Sequence, residues 1–198
     1  SGGLADVAGS LPHTLCRKGQ DCRIVVPLYG TIPQELKNSL NFITNFTVPV
    51  AWRHQYCGLF WARWNDCTYY FIDNEYYFKR GTLYGHYDDA ERFAFFSRAI
   101  LEIIPHIDFK PDIIHCNDWQ TGLLPVFLKT EFASDTFYCN IKTVFSIHNM
   151  KFQGRWHVRD IMDVTGMPQE LFTSDKLESY GEANYLKGGC VYADAIST

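Results

Sequence analysis

From Leu4 the apolar residues Leu4, Val7, Ala8, Leu11 and Leu15 recur at the spacing of one helical face, and Gly19 follows Arg17-Lys18 as a stop. The pattern predicts a helix entered through glycines. Pro12 falls inside it and takes the hydrogen-bond partner from the Ala8 carbonyl, so a kink or a later true start is expected. Cys22-Arg23-Ile24-Val25-Val26-Pro27 is a nearly continuous apolar run, the pattern of a strand buried on both faces of a parallel sheet. Between about 41 and 73 the period changes. Phe42, Thr44, Phe46 and Val48 alternate, Tyr56 to Trp64 alternate around Gly58, and Thr68 to Ile72 form a third run, which predicts an antiparallel insert. Asp88 to His106 reads as a long amphipathic helix, with Phe93, Phe96, Ile100, Ile103 and Ile104 on one side and Asp88-Asp89 suited to its N-terminal end.

After Pro111 the pattern becomes regular. It predicts strand Asp112–Cys116, helix Trp119–Phe132, strand Lys142–Ile147, a loop around Asn149–Arg155, a short helical zone near 157–164, and a helix over about Glu182–Tyr192. Strands alternating with helices over this length imply right-handed βαβ units and an α/β, doubly wound sheet. No repeat, low-complexity tract or linker interrupts it, so residues 1–198 read as one domain. Neither Ser1-Gly2-Gly3 nor Ala195-Ile196-Ser197-Thr198 resembles a natural terminus, and truncation at both ends is expected.

Composition narrows the partners. The chain is 46% hydrophobic and 16% aromatic, with net charge −4, enough apolar material for one substantial core. No run of basic residues exceeds Arg17-Lys18, which argues against nucleic acid or an anionic membrane surface. No apolar stretch approaches the ~20 residues of a membrane span. The seven cysteines stand singly, without C-x-x-C or zinc-finger spacing, and read as small buried hydrophobes. Their odd number, with no signal peptide, favours a reducing cytoplasm.

In an open α/β sheet ligands bind beyond the carboxyl ends of the strands, which selects three segments. Gly2-Gly3 precede a helix and make either a tight turn or a receiver for phosphate. His115-Cys116-Asn117-Asp118-Trp119-Gln120-Thr121 ends an apolar strand in polar groups; Asp118 either caps the next helix or, with Trp119, holds a sugar ring. His148, after Phe145-Ser146-Ile147, is either a core histidine or shares a pocket with Asp118. Among the clustered tyrosines, Tyr84 in the loop between Gly81 and Gly85 is the best candidate for ligand contact. Asp88-Asp89 and the His115/Asp118 pair are too few ligands for a metal, and none is assigned.

Together, Gly2-Gly3-Leu4-Ala5-Asp6-Val7-Ala8-Gly9-Ser10-Leu11-Pro12, His115-Cys116-Asn117-Asp118-Trp119-Gln120-Thr121-Gly122, Phe145-Ser146-Ile147-His148-Asn149-Met150-Lys151-Phe152-Gln153-Gly154 and Asn184-Tyr185-Leu186-Lys187-Gly188-Gly189-Cys190-Val191-Tyr192-Ala193-Asp194 resemble the bacterial glycogen synthases and plant starch synthases. The resemblance covers essentially the whole chain. It implies the N-terminal, acceptor-side half of a GT-B glycosyltransferase, a Rossmann-like and mainly parallel sheet with an antiparallel insert, whose C-terminal nucleotide-binding domain is absent. The implied reaction is retaining transfer of glucose from ADP-glucose to the non-reducing 4-hydroxyl of an α-1,4-glucan, either glycogen or a maltooligosaccharide, with no metal or other cofactor.

Carried over by position, Gly2, Gly3 and Asp6 would lie at the donor phosphates and glucose, and Tyr84, Trp119 and Asn149 would line the acceptor side around Asp118 and His148 as the catalytic pair. These residues alone are expected to be inactive. Two rivals remain at this point: a glucan-binding or regulatory module without turnover, and a nucleotide-binding oxidoreductase. The second lacks G-x-G-x-x-G after a strand.

Overall fold

The first described element, α1 (Gly3–Arg17), passes through Pro12 without starting late. Residues 3–198 are described in the computed structural model. They form two units, residues 3–47 with 55–85 and residues 48–54 with 86–198. Two of the three boundaries fall inside strands, Asn41–Val50 and Arg53–Trp64, and the third follows Gly85.

In the first unit β1 (Arg23–Pro27) is only half-buried up to its last residue, not enclosed on both faces. The described sheet runs from β1 through Cys67–Asp73 and Arg53–Trp64 to Asn41–Val50, and an outer strand is covered less than one with neighbours on both sides. The short helix α2 (Gln34–Asn38) precedes β2 (Asn41–Val50), β3 (Arg53–Trp64) and β4 (Cys67–Asp73). Asn65 and Asp66, at φ 46 and 66, close the β3–β4 hairpin; two left-handed residues match the twist of paired strands. β4 serves two partners. Phe71 faces Phe60 across an antiparallel ladder and Val26 across a parallel one, so the antiparallel strands join a parallel pair rather than standing apart. Asn74 then caps α3 (Glu75–Phe78) by accepting the Tyr77 N–H at 3.0 Å.

The cysteines depart from the reading of isolated core residues. Cys57, Cys67 and Cys116 are buried, but Cys139 is exposed, and the sulfurs of Cys16 and Cys67 lie 2.7 Å apart.

The second unit starts from α4 (Asp89–Ile103), prolonged by a 3-10 turn at Ile104–His106. Its sequence suggests one apolar side, yet it is buried nearly all round. Arg92 is fully enclosed and pairs with Asp89 at 2.5 Å, which compensates a charge on what would otherwise be the wet face. The chain continues through β5 (Ile113–Asn117), a 3-10 turn at Trp119–Thr121, α5 (Leu123–Lys129), β6 (Lys142–Ser146), β7 (Arg155–His157), α6 (Val158–Thr165), β8 (Glu178–Ser179), β9 (Glu182–Asn184), α7 (Tyr185–Tyr192) and β10 (Ala195–Ser197).

Strands β10, β6 and β5 form a parallel sheet in that order, connected through helices as βαβ units require. Glu182–Asn184 are strand rather than the first turn of a helix. β9 pairs with β7 and β8, and α7 begins only where the Asn184 side chain accepts the Lys187 N–H at 2.9 Å. α7 then seats closely on β6: a Cβ on Gly189 would stand 2.5 Å from the Phe145 ring.

Candidate active site

β5 and β6 run side by side and in register, with Asn117 opposite Ser146 at their last pair. The residues that follow are therefore delivered together at the carboxyl end of the sheet. Asp118 N–H donates to the Ser146 carbonyl at 2.9 Å, after which the chain turns sharply. Asp118 takes φ 57 and ψ −179, a region suited to glycine that costs other residues about 1–3 kcal/mol. The Thr121 hydroxyl braces this turn, accepting the Asn117 N–H at 2.8 Å and donating to the Asn117 carbonyl at 2.9 Å.

The strained conformation brings the Asp118 carboxylate to the chain leaving β6. Oδ1 accepts the backbone N–H of His148 at 2.7 Å and that of Asn149 at 3.4 Å, and the residue is only 7% exposed. The His148 ring is fixed separately, because its Nε2 lies 2.9 Å from the Asn117 side-chain oxygen. That oxygen only accepts, so Nε2 carries the hydrogen and Nδ1 is left as the second interaction point. Nearby, His115 Nε2 meets the Ser146 hydroxyl at 2.6 Å, and Ser146 donates to Ser197 at 3.2 Å. Desolvation, and secondarily the charge of His148, lowers the His115 pKa and favours its neutral form.

Trp119 does not offer the open ring expected for stacking on a sugar. It is 6% exposed, meets Phe93 and Trp156 edge-on at centroid distances of 5.0 and 5.7 Å, and lies so near Gly154 that a Cβ there would be 2.6 Å from the indole. An indole beside this many rings gains more from burial than from display. Asn149 is exposed, and its side chain accepts the Lys151 N–H at 2.9 Å. The loop that follows exposes Met150 and Phe152, then is tied down where Gln153 and Gly154 carbonyls accept N–H groups of Leu186 and Tyr185.

The second unit thus gathers Asp118, Trp119, His148 and Asn149. Gly3 and Asp6, in the first turn of α1, and Tyr84, 40% exposed, belong to the first unit; Gly2 lies outside the described residues. Asn117, Thr121 and Gly154 are not among the candidate site residues that the sequence offers, although each lies within a quoted motif; Asn117 also ends a strand beside Asp118. Among the described residues no group of three His, Cys, Asp or Glu could hold a metal ion, and no helix is long and apolar enough to cross a membrane.

The family model for the starch synthase catalytic domain matches residues 1–198. The chain belongs to that family. Among curated relatives, this family member is 53% identical to a glycogen synthase of Lachnospira eligens and 50% identical to one of Geobacillus stearothermophilus, covering all of this chain and 42% and 41% of theirs. It therefore spans less than half the length of the relatives it matches. Among solved structures, the catalytic domain of starch synthase IV from Arabidopsis thaliana bound to ADP and acarbose aligns with a TM-score of 0.83 at 26% identity, over 99% of this chain and 41% of that one. The family member's α/β fold thus matches part of a starch synthase catalytic domain, with parallel pairing and added antiparallel strands.

Proposed function

We propose that the complete protein is a glycogen synthase, transferring glucose from ADP-glucose to the non-reducing 4-hydroxyl of an α-1,4-glucan with retention, in the cytoplasm and without a metal. One observation carries the reading: Asp118 and His148, brought by two adjacent parallel strands to one sheet end, are locked together through Oδ1 and the His148 N–H at 2.7 Å. The family match and the Arabidopsis enzyme's occupancy by ADP and acarbose support the substrates.

Departure of ADP from the anomeric carbon builds positive charge on the sugar and negative charge on the diphosphate. Asp118 supplies a fixed carboxylate for the first, its geometry already set by backbone N–H groups. His148, with Nε2 held by Asn117, turns Nδ1 to a sugar hydroxyl. Asn149 adds an exposed amide and Tyr84 a phenol on the acceptor side, while Trp119 stiffens the floor from beneath. Gly2, Gly3 and Asp6, at the start of α1, serve the donor phosphates and glucose, where a helix N-terminus favours an anion. Residues beyond this span of the relatives' length recognise the base. Holding both substrates in one site lowers the entropic part of the barrier.

The test is direct. The complete protein, given ADP-glucose and maltooligosaccharide, should release ADP and lengthen the glucan. A protein that binds maltooligosaccharide but releases no ADP is a binding module, and the proposal fails.

A further inference from the structure

α1 is fastened to the β3–β4 hairpin along one short stripe. His13 contacts the Asn65 carbonyl at 3.1 Å and the Tyr69 hydroxyl at 2.9 Å, and one turn later Cys16 meets Cys67, sulfur to sulfur, at 2.7 Å. Positions three apart on a helix face alternate positions on a strand, so both contacts come from one packing register. A disulfide bond is about 2.05 Å long, and here the two side chains already point at each other across the packed elements.

The two thiols differ in access. Cys67 is fully buried, whereas Cys16 and Cys22 are half-buried and line a surface recess of about 530 Å³. Arg17, Arg23 and Arg63 also line it, against Asp21 and Asp66, with Arg23 paired to Asp21; the excess of positive charge suits the carboxylates of a small anionic reagent. Cys16 approaches Cys22 through the backbone carbonyl, at 3.4 Å, rather than through its sulfur. Burial first, and then the hydrogen bond to Cys16, pushes the Cys67 thiol up to about 12, so Cys67 is the partner that keeps its proton and Cys16 the one that reacts first.

We propose that Cys16 and Cys67 are a reversible dithiol–disulfide site, closed by a low-molecular-weight thiol disulfide of the glutathione class that enters through the recess. Cys16, as thiolate, attacks one sulfur of the reagent; its S–S bond breaks and one small thiolate leaves. Cys67 passes its proton to that thiolate and attacks Cys16 Sγ, expelling the second small thiolate, which takes the Cys16 proton from solvent. The two protein thiols are oxidised by two electrons, and the reagent is reduced to two thiols. The new bond ties α1 to β4 across 51 positions of sequence.

The test is incubation of the complete protein with oxidised glutathione, followed by intact mass and non-reducing peptide mapping. Expected is a cross-linked peptide pair containing Cys16 and Cys67 with loss of two hydrogens at that pair, reversal by dithiothreitol, and a rise in the thermal midpoint of about 5 °C or more on closure. Cys22→Ser should close as the wild type does, and Cys67→Ser should stop at a glutathione adduct on Cys16. No reaction at Cys16, a wild-type protein that stops at the adduct, or a link from Cys16 to Cys22 would each overturn the proposal. None of these readouts depends on glucosyl transfer.

Discussion

The carboxylate of Asp118 accepts the backbone N–H of His148 at 2.7 Å from a backbone conformation, φ 57 and ψ −179, that favours glycine. Strain is stored in the residue that organises the site. Glycine at this position relieves that strain while deleting the carboxylate. Asp118→Gly is therefore expected to keep or raise the thermal midpoint and to lower glucosyl transfer by about tenfold or more in the complete protein. Thermal melting and an ADP-release assay on the same preparation check the two halves.

Asn117 holds the His148 ring, its side-chain oxygen 2.9 Å from Nε2. Asn117→Ala removes that oxygen and frees the ring to turn. Glucosyl transfer by the complete protein should fall by about tenfold in kcat with KM little changed. An unchanged kcat with a lowered thermal midpoint would mark Asn117 as merely structural.

Gly189→Ala should destabilise the second unit by about 1–3 kcal/mol. The added methyl would meet the Phe145 ring at 2.5 Å, and Phe145 is fully buried, with no room to retreat. Urea unfolding should show a lower midpoint with an unchanged slope.

Asp194 anchors the start of β10 on α5 and β6. Desolvation raises its pKa, but hydrogen bonds from the Lys129 side chain and the Thr143 backbone, with the charges of Lys129 and Lys142, outweigh it and hold the carboxyl at about 2. A folded-state pKa below the unfolded one stabilises the protein above the unfolded value, near 3.9, and that contribution is lost as pH falls through about 2. Asp194→Asn should thus cost about 1 kcal/mol near neutrality, after solvent screening, with the difference from wild type vanishing toward pH 2. Denaturant titrations at pH 7 and pH 2.5 measure it.

Much of the parallel half was legible in the sequence, because the runs Asp112–Cys116 and Lys142–Ile147 stop abruptly before Asp118 and His148, and the strands lie within one residue of them at Ile113–Asn117 and Lys142–Ser146. Other features were hidden for physical reasons. β7, β8 and β9 span three, two and three residues, too short for a period of two to register. Trp119 beside a carboxylate looks the same whether the ring faces a sugar or, as here, Phe93 and Trp156. The enclosure of α4 depends on Arg92 finding Asp89, and a helical pattern counts that arginine as solvated. The meeting of Cys16 with Cys67 needs the docking register of a helix on a hairpin, which periodicity does not carry.

If Asp118 and His148 act as one catalytic pair, His148→Ala in the complete protein disables it. The imidazole can be removed without disturbing the hydrogen bond from the His148 backbone to Asp118. Initial rates of glucosyl transfer from ADP-glucose to maltooligosaccharide should fall by about tenfold or more, with the thermal midpoint near that of wild type. Transfer at a near-normal rate would mean that His148 is not part of a catalytic pair.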